Sequence, residues 1–392
     1  MFGGPPMDRL RPLGGRKHVV VVGAGIIGAS IAFQLSRRSI PVTVLDDGEP
    51  GYGASSHSFA WINATGKSPD YYHYFNRRSM DMWARFAREL DADIGLTWGG
   101  YLQWESTQDG ADRLRAQLAE LHFWGYPCRF INEREIQDLE PGIVTGPVLA
   151  AAINDVEGHV DTQKVVDACL LRASEAGAIV RTNSGATGFK MTQNANGETV
   201  VEGVETEMGE IPCDTVVLAA GVATTALAAM VGVDLPQQYS PGVVVRTDPQ
   251  PPLLQKVSVL YAPQIEPGHS EIHLRQMANG VVQIGEGSQE SLNRDDSQGH
   301  ANDLLDRATK YLPALSGAKV SPVPVGFRPM PRDGFPAIGF CGSAPNVYMA
   351  LMHSGVTLAP LAAELATMEI VDGIRVDALL PFRPDRFSSK GS

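Results

Sequence analysis

Six residues, Gly23-Ala24-Gly25-Ile26-Ile27-Gly28, carry the clearest chemical signal in the sequence. They follow an apolar run, His18 to Val22, and open an apolar-periodic stretch through Ile31, Phe33 and Leu35. A G-x-G-x-x-G set between strand and helix suits a dinucleotide. Gly23 permits the tight turn, Gly25 lets the backbone approach a pyrophosphate, and Gly28 allows close helix–strand packing. The helix that starts at Ile26 and Ile27 offers free N–H groups and the positive end of its dipole to the phosphates. Asp46, with Asp47 beside it, ends a second apolar run, Val42 to Leu45. An acid there accepts hydrogen bonds from a ribose diol and repels a 2′-phosphate. The pattern predicts a bound dinucleotide but does not separate FAD from NAD.

Three further segments favour FAD. Gly51-Tyr-Gly-Ala54-Ser55-Ser56-His57 is a small-residue loop able to lie along a second stretch of dinucleotide. Asp214 to Leu218 reads as a buried strand that leads through Ala219 and Ala220 into a turn at Gly221. Gly326-Phe-Arg328-Pro-Met-Pro-Arg-Asp333-Gly-Phe-Pro-Ala-Ile-Gly339 precedes Met352-His353-Ser354-Gly355-Val356-Thr357-Leu-Ala-Pro360. Taken together, these segments resemble the D-amino-acid oxidase superfamily, which includes glycine oxidase, monomeric sarcosine oxidase and the dimethylglycine dehydrogenases. The motif order matches from about residue 18 to residue 372, most closely at both ends. One departure is Met352, where the family commonly has Gly before the histidine.

The resemblance implies FAD as cofactor and an amine or amino acid as substrate. It implies a glutathione-reductase-like FAD-binding Rossmann domain with an interleaved mixed α+β substrate domain. Arg328 matches the position whose guanidinium holds a substrate carboxylate, and an Arg fork suits bidentate contact; a structural ion pair with Asp333 is the alternative. The turn of His353, Ser354, Gly355, Val356 and Thr357 matches the loop that aims backbone N–H groups at the flavin N1–C2=O edge. Positive potential there favours the negative charge of reduced flavin. Thr357 could equally be an ordinary helix cap. His57 falls where dimethylglycine dehydrogenases carry a flavin-linked histidine; a noncovalent contact is the expectation here. Trp61 is expected to pack near the flavin, and Asn63 to face substrate or to cap a turn. His269, Glu271 and His273 share one face of a strand, but a solvated hairpin explains them and no metal is expected.

The elements that must position these groups form an α/β pattern. Helices are expected over Met80 to Leu90, Ala111 to Leu121, Asp161 to Ala176, Asn302 to Tyr311 and Leu358 to Val371. Strands are expected over Thr97 to Trp104, Gly242 to Arg246, Val281 to Ile284 and Val347 to Ala350. The layout is interleaved: residues 17–95, 155–235 and 325–385 bind FAD, and 96–154 and 236–324 form a substrate cap. Residues 1–16 and 383–392 read as flexible tails. A net charge of -12 disfavours nucleic acid. There is no run of about 18 apolar residues to make a membrane helix. Four cysteines without a CxxC pair fit a reducing cytosol. The expected reaction is oxidation of a C–N bond by hydride transfer to flavin, with O2 or an electron carrier as acceptor. Rivals are a dehydrogenase feeding a carrier, or a flavin-binding subunit of a larger complex.

Overall fold

Four consecutive valines make the first strand, β1 (Val19–Val22). β-branched side chains favour a pleated surface buried on both faces, as in a parallel sheet. β1 lies at the centre of a six-stranded sheet. Its order is Ala337–Cys341, Ala344–Leu351, Thr215–Leu218, β1, β2 (Val42–Leu45) and Ile179–Arg181. All pairings are parallel except that of the edge strand Ala337–Cys341. The computed structural model describes residues 17–264, 269–287 and 292–388. The expected tail at 1–16 and the last four residues lie outside them.

Three helices cover one face of this sheet: α1 (Ile26–Arg37), Thr162–Glu175 and the C-terminal helix Gly355–Asp372. Their apolar residues close one core with Val19 and Val21, together with Trp83 and Phe86 of α2 (Asp70–Leu90). The opposite face, from Val20 and Val22, packs under a three-stranded meander (Gly188–Gln193, Thr199–Thr206, Gly209–Pro212) and the short helix Thr224–Met230. An eight-stranded sheet stands apart from these layers. Its order is Val320–Pro322, Val245–Pro249, Val281–Glu286, Ile272–Gln276, Val259–Ala262, Tyr101–Glu105, Ala150–Asn154 and Cys128–Ile131. Leu102, Trp104, Leu274 and Ile284 on one of its faces form a separate core with Leu304 and Tyr311 of the helix Gln298–Tyr311. The other face looks toward the six-stranded sheet's loops.

Several expectations shift for identifiable reasons. α2 begins ten residues before the expected Met80, because Tyr72 and Phe75 extend its apolar face. The expected strand over Thr97 to Trp104 breaks into Thr97–Trp98 and Tyr101–Glu105 at Gly99 and Gly100, both at positive φ. Asp161 caps its helix by accepting from Gln163 and Lys164, and Gly177 at φ +97 stops it. The chain from Arg383 is no loose tail as far as residue 388. Arg383 pairs with buried Glu369, and Arg386 with Asp333.

Candidate active site

The glycine fingerprint forms the turn its sequence requires. Gly23 sits at φ +103, and a Cβ there would lie 2.5 Å from the Ala219 carbonyl oxygen. A Cβ on Gly28 would overlap the Gly23 carbonyl oxygen, so both glycines are dictated by close packing. Gly25 differs: its Cβ position meets only Ser55 Oγ, at 3.3 Å. The protein's own packing therefore does not dictate glycine at position 25. Gly25 precedes α1 without a side-chain cap, and Ser55 Oγ accepts from the Ile26 N–H at 3.0 Å. Ile27 and Gly28, in the first turn, have no intrahelical acceptor to reach.

Asp46 stands at the end of β2, partly buried. It accepts from the Ala24 N–H at 2.6 Å and from the Gly48 N–H at 2.9 Å. Burial pushes its carboxyl above the usual range, while these two donors pull it back. Ala220 and Gly221 follow the strand Thr215–Leu218 and abut the Gly23 turn, with Gly221 at φ +56. Thus Gly23, Gly25, Gly28, Asp46, Ser55 and the Ala220–Gly221 turn converge, although 198 positions separate Gly23 from Gly221 in the sequence. A glycine cradle, open N–H groups and a carboxylate at the strand end fit a dinucleotide pyrophosphate and ribose.

A second helix N-terminus meets the first. Ser354 occupies the N-cap of the C-terminal helix in the left-handed region at φ 58, without a side-chain cap bond. A Cβ on Gly355 would contact Ile27 at 3.4 Å. Tyr72 donates to Ser354 Oγ at 3.1 Å, which fixes the cap residue. Thr357 is not the cap. Its hydroxyl donates to the Trp61 carbonyl at 3.1 Å and accepts from the Asn63 N–H at 3.2 Å, tying the helix to the 61–63 segment. The Asn63 side chain closes its own turn by donating to the Thr65 carbonyl at 2.9 Å. His353 lies partly buried before the cap. Burial first, and then the Lys67 and Arg328 charges, hold its imidazole down to about 3. His353 is therefore neutral, and the positive potential comes from the helix terminus and the two cations.

Arg328 reaches this region from the turn after Gly326–Phe327. Its guanidinium lies over Gly242 and donates to the Pro241 carbonyl, and its N–H donates to the Ser240 carbonyl at 2.8 Å. Asp333, the alternative partner, is instead held by Arg386 at 2.6 and 3.0 Å. The Arg328 charge bears on Tyr261, His273 and His353, which places it at the junction of the two sheets. His57 packs its Cβ against Gly326, and its Nδ1 engages the Gly53 carbonyl at 2.9 Å and Ser56 Oγ at 3.0 Å.

Sequence reasoning missed the wall opposite. Trp61 and Tyr101 are 4.8 Å apart, Tyr101 and Tyr261 5.7 Å, and Tyr261 stacks on His273 at 5.0 Å. Among the described residues the buried Trp61 Nε1 has no hydrogen-bond partner. Arg246 donates to the Ser56 carbonyl at 2.6 Å and Gln283 to the Ser58 carbonyl at 3.1 Å, clamping the His57 loop to the eight-stranded sheet. Lys67 is buried, and burial lowers its ammonium to about 8 despite Glu157 nearby. No group of three His, Cys, Asp or Glu among the described residues is placed to hold a metal. Nor is any helix among them long and apolar enough to cross a membrane.

Comparison with known proteins gives the family and the fold. The family model described as DAO, FAD dependent oxidoreductase, matches residues 18–368. A subunit of opine oxidase from Agrobacterium tumefaciens (strain Ach5) is 28% identical over 382 residues, 95% of this chain and 98% of that one. Glycine oxidase of Geobacillus kaustophilus (strain HTA426) is 27% identical over 362 residues, 89% and 92% of the two chains. The crystal structure of glycine oxidase from Geobacillus kaustophilus superposes with a TM-score of 0.80 at 24% identity, covering 94% of this chain and 99% of that one.

Proposed function

The chain belongs to the DAO family of FAD-dependent oxidoreductases, and on that premise we propose that it oxidises the C–N bond of an amino acid or a secondary or tertiary amine. The observation that carries this reading is the junction between the sheets. There Arg328, neutral His353 and the start of the C-terminal helix face an aromatic wall. FAD, when bound, would supply the hydride-accepting chemistry for the carbon that carries nitrogen. The fingerprint turn, Asp46 with Asp47 beside it, the Ala54–His57 loop and the Ala220–Gly221 turn would hold its dinucleotide part. Residues Ser354 to Thr357 would present their N–H groups to its pyrimidine edge. Arg328 orients a substrate carboxylate through a two-pronged contact.

His353 and His273, the latter lowered to about 4 chiefly by burial, accept no proton at neutral pH. A substrate amine bound neutral needs no side-chain base, so proton removal falls to solvent before binding. Lys67 and Arg328 supply positive charge on the side where electron density accumulates. The strands of the six-stranded sheet all fall within residues 17–95, 155–235 and 325–385, which supports assigning those segments to FAD. Those of the eight-stranded sheet fall within 96–154 and 236–324, which supports a substrate-binding role. The four free cysteines support a cytoplasmic setting.

The electron acceptor in this reading is O2 or an electron carrier. A second reading, in which this chain is the flavin subunit of a larger dehydrogenase, draws support from the relative named as a subunit of opine oxidase. The test is anaerobic bleaching of the purified, FAD-loaded chain with a panel of amino acids, N-methyl amino acids and cyclic amines. Bleaching by the chain alone supports a complete catalytic site. A yellow protein that dithionite reduces but no amine bleaches would overturn the proposed reaction.

A further inference from the structure

The face of the eight-stranded sheet that meets the flavin loops is graded in charge along its strands. Cross-strand register defines three successive rows. In the first, Arg246 lies opposite Gln283, which lies opposite Arg275. In the second, His273 lies opposite Tyr261, which lies opposite Gln103. Two residues further along the same face come Glu271 and Glu105, because successive side chains alternate between faces. The Gly287 N–H donates to the Glu271 carbonyl at 2.8 Å, which continues the pairing into this third row. The first row is turned toward the nucleotide-binding loops, as its bonds to Ser56 and Ser58 show. The third row is the most distant from them.

The middle row, with Tyr101 two residues before Gln103 on the same face, brings rings together beside the Gln103 amide. The Tyr261 hydroxyl donates to the Gly287 carbonyl at 2.8 Å and that of Tyr101 to Gln103 Oε1 at 2.5 Å. Both phenols are thereby turned into their own sheet. Tyr101 is buried against the other two rings, and the part-exposed Tyr261 and Trp61 remain as apolar surface rich in π density, which attracts cations. His273 is neutral and does not repel a cation. The other charges bearing on the row are those of Arg328, of Glu271 on Tyr261, and of Glu286 on His273. Glu105 faces the same way, but Arg113 offsets its charge and Gln103 donates to it at 3.1 Å. Glu286, one position out of phase, points to the opposite face, where Arg307 holds it at 2.8 Å. Glu271 is ion-paired with no Lys or Arg among the described residues.

From this gradient we infer that the substrate is an amino acid, or an N-substituted one, whose side group ends in a cation: carboxylate on Arg328, stem across Tyr261 and Trp61, and ammonium or guanidinium at Glu271. The inference rests on the amine-oxidising reading and names the substrate class within it. A small substrate such as glycine would leave the aromatic wall and Glu271 without a role.

The test compares matched substrates on the FAD-loaded protein by anaerobic bleaching and steady-state turnover. Arginine and lysine, each as both enantiomers and N-methylated, are set against norleucine of similar length and against glutamate. The cationic substrates should have the higher kcat/KM. Glu271→Gln should lower the cationic-to-norleucine ratio of kcat/KM by roughly tenfold or more, the scale of one charge-assisted bond. Glu271→Lys should invert the preference toward glutamate. FAD content and melting temperature verify that both variants fold. Preference of the wild type for glycine or norleucine would overturn the substrate class while leaving amine oxidation standing, and so would an unchanged ratio in Glu271→Gln. Failure of every amine to bleach the flavin would overturn both.

Discussion

Replacing Arg328 separates a substrate anchor from a structural staple. The guanidinium donates to the Pro241 carbonyl and lies 3.5 Å from Ser240 Oγ, while the residue's own N–H bonds the Ser240 carbonyl. The backbone bond survives in Arg328→Ala, and a lost charge-assisted side-chain bond costs about 1.5–3 kcal/mol. The melting temperature should therefore drop by a few degrees. The functional loss is confined to carboxylate substrates. A charge-assisted bond to a carboxylate contributes about 1.5–3 kcal/mol, so kcat/KM for a carboxylate substrate should fall roughly ten- to a hundredfold or more. Arg328→Lys keeps the charge but not the fork, and should fall between wild type and Ala. The assay sets an amino acid against the amine lacking its carboxylate, since an anchor changes the ratio of the two. FAD content should hold in both variants. If Arg328→Ala loses FAD or unfolds, the residue is structural. If it turns over amino acids normally, the carboxylate is held elsewhere.

Gly25→Val should fold but be colourless: only Ser55 Oγ lies near the Cβ position, so the added side chain meets the dinucleotide rather than the protein; absorbance at the flavin band with a melting curve verifies this, and a yellow variant would refute it. Acid precipitation should release FAD into the supernatant, because the His57 Nδ1 is engaged by Gly53 and Ser56 and the loop needs no covalent link; flavin retained on the polypeptide would show the opposite. Stability should fall on acidification. His353 and His273 are depressed to about 3 and about 4, so the unfolded chain takes up protons that the folded chain refuses; the stabilisation is full above about pH 6.5 and lost as pH falls toward 4, by roughly 1.4 kcal/mol per unit for each histidine. Melting temperatures from pH 7.5 to pH 5 should decline, and His353→Asn should flatten that slope.

The glycine turn of the candidate site was legible because its geometry is local. Gly23, Gly25 and Gly28 are constrained by backbone geometry within one turn, and the flanking apolar runs reveal strand and helix without tertiary knowledge. The same holds for Asp46, a fixed distance on, and for the Gly221 turn. Element boundaries moved where neighbours decide them, as in α2 and at the Gly99–Gly100 break. The cap role suggested for Thr357 failed because Trp61 and Asn63, 296 and 294 positions away, claim its hydroxyl.

The aromatic wall was illegible for a different reason. Ile272-His273-Leu274-Arg275 and Tyr101-Leu102-Gln103-Trp104-Glu105 alternate apolar and polar residues, which reads as a strand with one face in water. The apolar face does form the core, with Leu102, Trp104 and Leu274. The polar face is instead covered by a second layer, leaving Arg275 at 3% exposure and Gln283 at 0%. Nothing in a strand's own sequence states what lies over its polar face. Burying such a face is costly unless its groups find partners. Here part of that cost is offset by bonds to the His57 loop, from Arg246 to Ser56 and from Gln283 to Ser58. The remainder stays open: Trp61 Nε1 and the Nε atoms of Arg246 and Arg275 have no partner among the described residues. Unsatisfied donors gathered on one wall, facing two helix N-termini, suit a chain whose polar face is completed by what it binds.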